Sequence, residues 1–421
     1  MKSSFRYALW MIVLSGMGIL SGTSGLQVTA ADWPQFLGPN RNGISDETGL
    51  LDSWPAGGPK EVWRVPGGVG MSAVAVSDGT ACTLVQTDKQ QFLLALDAKT
   101  GKQKWRTAIV PEFSNQMGNG PRATPAIADG AAIVFTGDGT LARVELASGD
   151  LTWKVPTFGR FPGKVADYGM ACSPVVWGDA VVVTIGAPKA TVAAFDLKTG
   201  ETRWTFGERE TAGYSSPAVL KVGGKEQLVA FTGASVYGVS NTGQRLWFYP
   251  YKTDYDCNIA TPLLIDGKVF VSAGENHGST LLSLISVADR FRPSIAWESV
   301  GTGSVLRNEW QTSIYLDGYL YGFDNVGSAG PVTHLTCVNP KTGKVAWQEA
   351  RFGKGNLISA DGKLFMSTMK GELVVAKASP DSYQEIGRQQ VIETTRQAPS
   401  LSNGLLYLRD DAEIICLDVK R

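Results

Sequence analysis

Histidine is almost missing from this chain: two of 421 residues, His277 and His334. There is no HExxH helix, nucleophile elbow, phosphate-binding P-loop or glycine-rich dinucleotide fingerprint, so any chemistry would need a site assembled from distant loops. Cysteine is sparse too. The five cysteines include no adjacent pair and no CxxC, so neither a redox dithiol nor a thiolate metal site is written locally. Net charge is absent, with 39 basic against 39 acidic residues. Removing Lys2 and Arg6 with a leader leaves about −2, and nucleic acid is therefore not an expected partner. The one long apolar run, Tyr7 to Leu20, is too short to cross a bilayer, so no transmembrane segment is expected. Helical periodicity is also lacking.

What the chain has instead is one hairpin written many times. In Val192 to Phe206, VAAFDLKTGETRWTF, an alternating apolar strand leads into Lys198-Thr199-Gly200 and out along a second strand through Trp204. Asp196 is placed to accept hydrogen bonds from the turn amides, and Gly200 to supply its positive φ. The pattern recurs as LLALDAKTGKQKWRT (93–107), LARVELASGDLTWKV (141–155), VYGVSNTGQRLWFYP (236–250) and LTCVNPKTGKVAWQE (335–349), with worn copies at 281–299 and 373–388. Self-similarity every 40–50 residues with only strands inside each unit predicts a β-propeller. Two half-copies complete the count. Lys60 to Val65 carries an outer strand and Trp63 without a partner, and Glu413 to Asp418 is a third strand that stops before its tryptophan. Joined, they make an eighth blade from both ends of the chain, leaving no open edge. The expected fold is all-β: eight four-stranded antiparallel blades in a single domain over 59–421.

Ahead of the ring, residues 1–31 read as a secretory signal peptide cut near Ala30 or Ala31, with no lipobox cysteine, which predicts a periplasmic or secreted, unanchored protein. Residues 32–58 form an arm rich in Gly, Pro and aromatics, in which Trp33, Phe36 and Trp54 are expected to pin it to the propeller wall. Cys337 and Cys416 fall in the slot held by Ala95 and Ala194 in sister copies, so they read as small core residues rather than disulfide partners.

The hairpin and the count of eight together resemble the PQQ-like (pyrroloquinoline quinone) repeat propellers, on the DxKTGxxxW pattern at Asp97, Asp196 and, with Asn339, the sixth copy. That group includes the quinoprotein alcohol dehydrogenases and BamB. The resemblance implies two activities. One is a binding or scaffold propeller. The other is an oxidoreductase using PQQ and calcium, although the dehydrogenases' adjacent cysteine pair has no counterpart here.

Candidate site residues follow from aligning the blades on a Ser/Thr-Pro marker, Thr124-Pro125, Ser173-Pro174, Ser216-Pro217 and Thr261-Pro262, where each inner strand begins. Three positions before the proline or its equivalent stand Met71, Arg122, Ala171, Tyr214, Ile259, Trp310, Lys354 and Arg396. Asn258 and Glu309 come one earlier. These predict a cationic and aromatic funnel, with Arg122, Lys354 and Arg396 for anionic charge and Tyr214, Asn258 and Trp310 for stacking and polar contact. Loops on the same face bring His277 and Asp324 as alternative catalytic bases, and Glu275, Asn276, Asp324 and Asn325 as alternative oxygen ligands for calcium. The leading expectation is a non-catalytic monomer with no cofactor that binds an envelope protein or extended polymer. A PQQ- and calcium-dependent dehydrogenase, and a saccharide binder using the arm's tryptophans, are the alternatives. Three connectors longer than the rest, 108–121, 156–169 and 300–309, are where function is expected to concentrate.

Overall fold

The structure, a computed structural model, describes residue 1 and residues 31–288, 290–327 and 332–421. The expected signal peptide over 2–30 lies outside the described residues. Eight antiparallel sheets make an eight-bladed propeller. Blade one runs Ala75–Ser77, Thr80–Thr87, Gln90–Asp97 and Gln103–Pro111, and blades two to seven repeat that order. Blade eight takes Ser400–Ser402, Leu405–Arg409 and Glu413–Asp418 from the end of the chain and Lys60–Pro66 from its start. Trp63 stands opposite Cys416 there, as Trp204 stands opposite Ala194 in blade three, so the two half-copies close the ring in register.

Where the hairpin carries a tryptophan a bulge interrupts it just before that residue, between Phe195 and Ala194 in blade three and between Leu96 and Ala95 in blade one. The extra residue turns the indole toward the neighbouring blade. Trp105 Nε1 donates to Leu146 O at 2.9 Å, Trp153 to Leu197 O at 3.2 Å and Trp63 to Ala98 O at 3.1 Å. Each reaches into the next blade's turn. Trp247 breaks the series. Blade five's worn hairpin is longer, Gly278–Val287 with Arg290–Val300, and offers no turn glycine, so Trp247 donates within its own blade to Gln227 Oε1 at 2.6 Å.

The Ser/Thr-Pro marker has a second use besides starting a strand. The Ala73 amide donates to Thr124 Oγ1 at 3.1 Å, Thr124 to Ser173 Oγ at 3.0 Å, Ser173 to Ser216 Oγ at 2.9 Å and Thr261 to Thr312 Oγ1 at 2.9 Å. Each of these four hydroxyls satisfies a strand-start amide of the preceding blade that its own sheet leaves unpaired, whereas the Thr261 hydroxyl is buried without a partner.

Three features differ from the expectation. Blade seven has five strands, because Ile44–Ser45 of the arm pairs in parallel with Ser359 and Ala360. Among the described residues two short helical segments occur, both in connectors: Thr157–Arg160, which starts directly after Pro156, and the single turn Asp254–Asp256. Too short to carry an apolar period, they leave no helical signal in the sequence. Finally, the arm does not simply lie on the wall. Trp33 does pack on blade one and Trp54 on Gly387 of blade seven, but the stretch between them enters the central channel. Trp33 is 2% exposed and has no face left for a sugar, which removes one platform of the saccharide reading.

Candidate functional site

The strand-start loops surround a cavity of about 410 Å³ on the channel axis. Two tiers of side chains build it. Seven of the eight positions picked out three residues before the marker line the upper tier, Lys354 being the exception. The lower tier is the position immediately before the proline or its equivalent, Thr261 excepted, and includes Ala73, Thr124, Ser173 and Ser216, with Phe36 of the arm below. One register along eight similar strands therefore generates both rings.

The upper tier is less cationic than its composition promises. Arg122 directs Nε to Tyr168 O at 2.7 Å, Nη2 to Gly118 O at 2.6 Å and Nη1 to Gly120 O, with its guanidinium 4.7 Å from the Phe113 ring. Burial, and then the nearby Arg396, lowers its pKa to about 10. Its donors hold two loops in place. Lys354 lies outside the cavity wall, with Nζ 2.7 Å from Glu309 Oε2 and 4.3 Å from the centre of Trp310. Burial still raises the Glu309 carboxyl, with Lys354 opposing that shift. Arg396 approaches the same indole at 5.1 Å while donating to Met117 O at 2.6 Å. Trp310 is thus held by two cations, each a favourable partner for its π-cloud. Tyr214 is stacked on Tyr168 at 5.5 Å and accepts from the Tyr168 amide at 3.3 Å, and burial raises its phenol.

Other candidates are drawn elsewhere. Asn258 is fully buried behind the wall, donating to Thr232 O at 2.7 Å and Tyr251 O at 3.0 Å. His277 leaves the axis and packs 4.4 Å from the Tyr251 ring. Asp324 receives Arg307 Nε and Nη2, both at 2.7 Å, in a buried two-pronged pair. Asn325 donates to Arg307 O and Asn276 accepts from the Gly327 amide, each at 2.9 Å. Of the four proposed calcium ligands only Glu275 lines the cavity, and among the described residues no three His, Cys, Asp or Glu side chains are grouped to hold a metal. Both oxygens of the Asp324 carboxylate are thus engaged by the Arg307 guanidinium.

Several lining residues carried no individual signal. Met117 and Tyr168 come from the two long connectors ahead of blades two and three. Tyr255 and Cys257 arrive on the loop after blade four, which looks ordinary in sequence. Tyr255 is 71% exposed at φ 60°, a conformation disfavoured for a bulky side chain, and stands among the cavity residues. Burial, followed by Glu275 and Glu309, raises the Cys257 thiol to about 12, so it is not a reactive thiolate.

A tricarboxylate quinone fits this donor set poorly. Arg122 is bound to three carbonyls, Lys354 faces Glu309, and Glu275 adds negative charge.

The family model described as outer membrane protein assembly factor BamB matches residues 55–160, 116–349 and 333–421. The chain belongs to the BamB family. It is 25% identical over 218 residues to BamB of Burkholderia pseudomallei (strain K96243), an alignment covering 50% of this chain and 53% of that protein. The chain thus spans about half the length of the BamB relative it matches. Among solved structures, the quinohemoprotein alcohol dehydrogenase of Comamonas testosteroni superposes with a TM-score of 0.67 at 14% identity, over 93% of this chain and 81% of that one. BamB from Moraxella catarrhalis superposes at 0.57 and 13%, over 86% and 99%. At these identities the superpositions establish the fold that BamB and the dehydrogenases share, not a chemistry.

Proposed function

We propose that this protein is an exported binding propeller that holds a segment of an envelope protein at its funnel face and seats an apolar or aromatic side chain in the axial cavity. The observation that carries the reading is the state of the cavity's arginines and aromatics. Its walls are Tyr168, Tyr214, Trp310 and Met71 above small residues, while Arg122 is already bound to backbone carbonyls. Such a cavity recognises apolar shape, with Arg396 at its upper tier to orient an acidic or carbonyl group. Membership of the BamB family supports a protein partner, and by that family's description a segment of an outer-membrane protein is the natural first probe. The dehydrogenase reading has less support, because His277 and Asp324 are committed elsewhere.

The test is calorimetric titration with peptides copied from outer-membrane barrel strands, alongside PQQ with and without calcium, on the intact protein and on Trp310→Ala. Saturable peptide binding weakened at least about tenfold in the variant, or about 1.4 kcal/mol, supports the proposal. Tight one-to-one PQQ binding with no peptide binding overturns it in favour of the quinoprotein.

A further inference from the structure

We propose that the N-terminal arm is a built part of the binding site: it plugs the central channel from the opposite face, and Phe36 at its tip sets how deep an apolar group can enter. This rests on the reading of the cavity as a ligand site.

The arm is fixed to blade after blade by contacts that do not involve Phe36. The Trp33 amide donates to Val76 O at 2.9 Å and Trp33 O accepts the Val76 amide at 2.8 Å, joining blade one. Pro34 O accepts the Ile127 amide of blade two at 2.7 Å. Arg41, buried in the channel, donates to Ser173 O at 3.1 Å and Pro174 O at 3.0 Å in blade three. Gly43 lies so close to blade six that a Cβ would stand 2.3 Å from Ile314 Cδ1. Ile44–Ser45 joins blade seven, and the Glu47 carboxylate accepts the Asn403 amide at 2.8 Å in blade eight. At Asp32, Glu47 and Leu50 the arm meets the turns after the inner strands, Ser77-Asp78, Asn403-Gly404 and Asp361. Those turns lie at the opposite ends of the strands from the cavity.

Between these anchors the chain reverses sharply. Leu37 has φ 60° and Gly38 φ 77°, and a Cβ on Gly38 would meet the Trp33 ring at 2.8 Å. The reversal separates neighbours by fate. Trp33 and Leu37 are 2% and 3% exposed in the core, whereas Phe36, between them, is only half-buried and lines the cavity. Left-handed backbone at a leucine persists only where the surroundings enforce it, and here it leaves an aromatic ring on the cavity floor. The channel is consequently a cup rather than a pore. The ligand class it fits is an alkyl or aryl group with a carboxylate or carbonyl at its outer end, near Arg396.

The test uses linear alkyl carboxylates from six to fourteen carbons, titrated calorimetrically into the intact protein and into Phe36→Ala, Phe36→Leu and Phe36→Trp. Each further buried methylene strengthens binding about fourfold, so affinity should rise with length until the floor is met. Phe36→Ala should move the optimum to longer chains by about two carbons and tighten the longest members about tenfold or more. Phe36→Trp should shorten it. Should Phe36→Ala fail to fold, Phe36→Leu and Phe36→Trp still give opposite shifts. The same optimum in every folded variant overturns the inference alone. If barrel-strand peptides bind but no carboxylate does, the inference falls and the peptide reading stands. If neither binds, both fall.

Discussion

Trp153 covers Gly200 so closely that a Cβ on the glycine would stand 2.9 Å from the indole. The turn glycine therefore has two reasons to be there: its φ of 71°, and the tryptophan of the preceding blade. Gly200→Ala should cost about 2–4 kcal/mol, combining left-handed strain with overpacking. Gly224 separates the two terms, since it has φ 80° and nothing within 4 Å of its would-be Cβ. Gly224→Ala should cost only about 1 kcal/mol. Urea unfolding midpoints measure both. Equal losses would mean that tryptophan docking contributes nothing at this turn.

The pair Arg307–Asp324 is buried on both sides, with side-chain exposures of 5% and 2%. Arg307→Ala should destabilise the fold by about 3–5 kcal/mol, because it strands a carboxylate without its partner. The double change Arg307→Met with Asp324→Leu should recover most of that loss, since an apolar pair of similar volume needs no desolvation. Failure of the double variant to recover would point to a role for Asp324 other than holding Arg307.

The repeat was readable because a propeller applies one register many times. Trp204, Ala194 and Gly200 in one copy located their counterparts in the others, and the half-copies at Trp63 and Cys416 closed the ring by the same logic. Seven of the eight upper-tier positions were located in the same way. What each side chain does there was not readable. The carbonyls that hold Arg122 belong to Gly118, Gly120 and Tyr168, in connectors with no periodicity to place them. Arg307, whose guanidinium occupies both oxygens of Asp324, lies 17 positions away. Phe36 was hidden for a stronger reason. Its position depends on a reversal at Leu37, a residue type that gives no sign of a left-handed conformation.

His277 packs against Tyr251, and burial lowers its pKa below 6.5, with Glu298 and Asp254 opposing the shift. The folded state thus favours the neutral ring. The stability that His277 contributes is complete above about pH 6.5 and is lost as pH falls through the lowered folded value, where the unfolded chain binds its proton first. His277→Gln should flatten the decline in urea midpoint between pH 7 and pH 5. In the intact protein, the imidazole resonances of His277 should titrate below pH 6.5, and Tyr251→Leu should move that midpoint upward by opening the ring to water. An unchanged slope in His277→Gln would show that the acid sensitivity lies elsewhere.

Glu413–Asp418 lies between Leu405–Arg409 and Lys60–Pro66 and is the strand through which the start of the chain is fastened to its end. Removing residues 411–421 leaves both neighbours with an unpaired edge and uncovers Trp63, which otherwise stands opposite Cys416. Exposed edges of this kind recruit strands from other molecules. The shortened chain should therefore elute as larger species by light scattering and lose its cooperative unfolding transition. A synthetic peptide of residues 411–421, supplied in excess, should restore the size distribution of the intact chain, because it satisfies both edges and re-covers the indole. If the shortened chain instead keeps the intact chain's size and unfolding midpoint, then the tryptophan contacts between blades hold the ring without the two-ended blade.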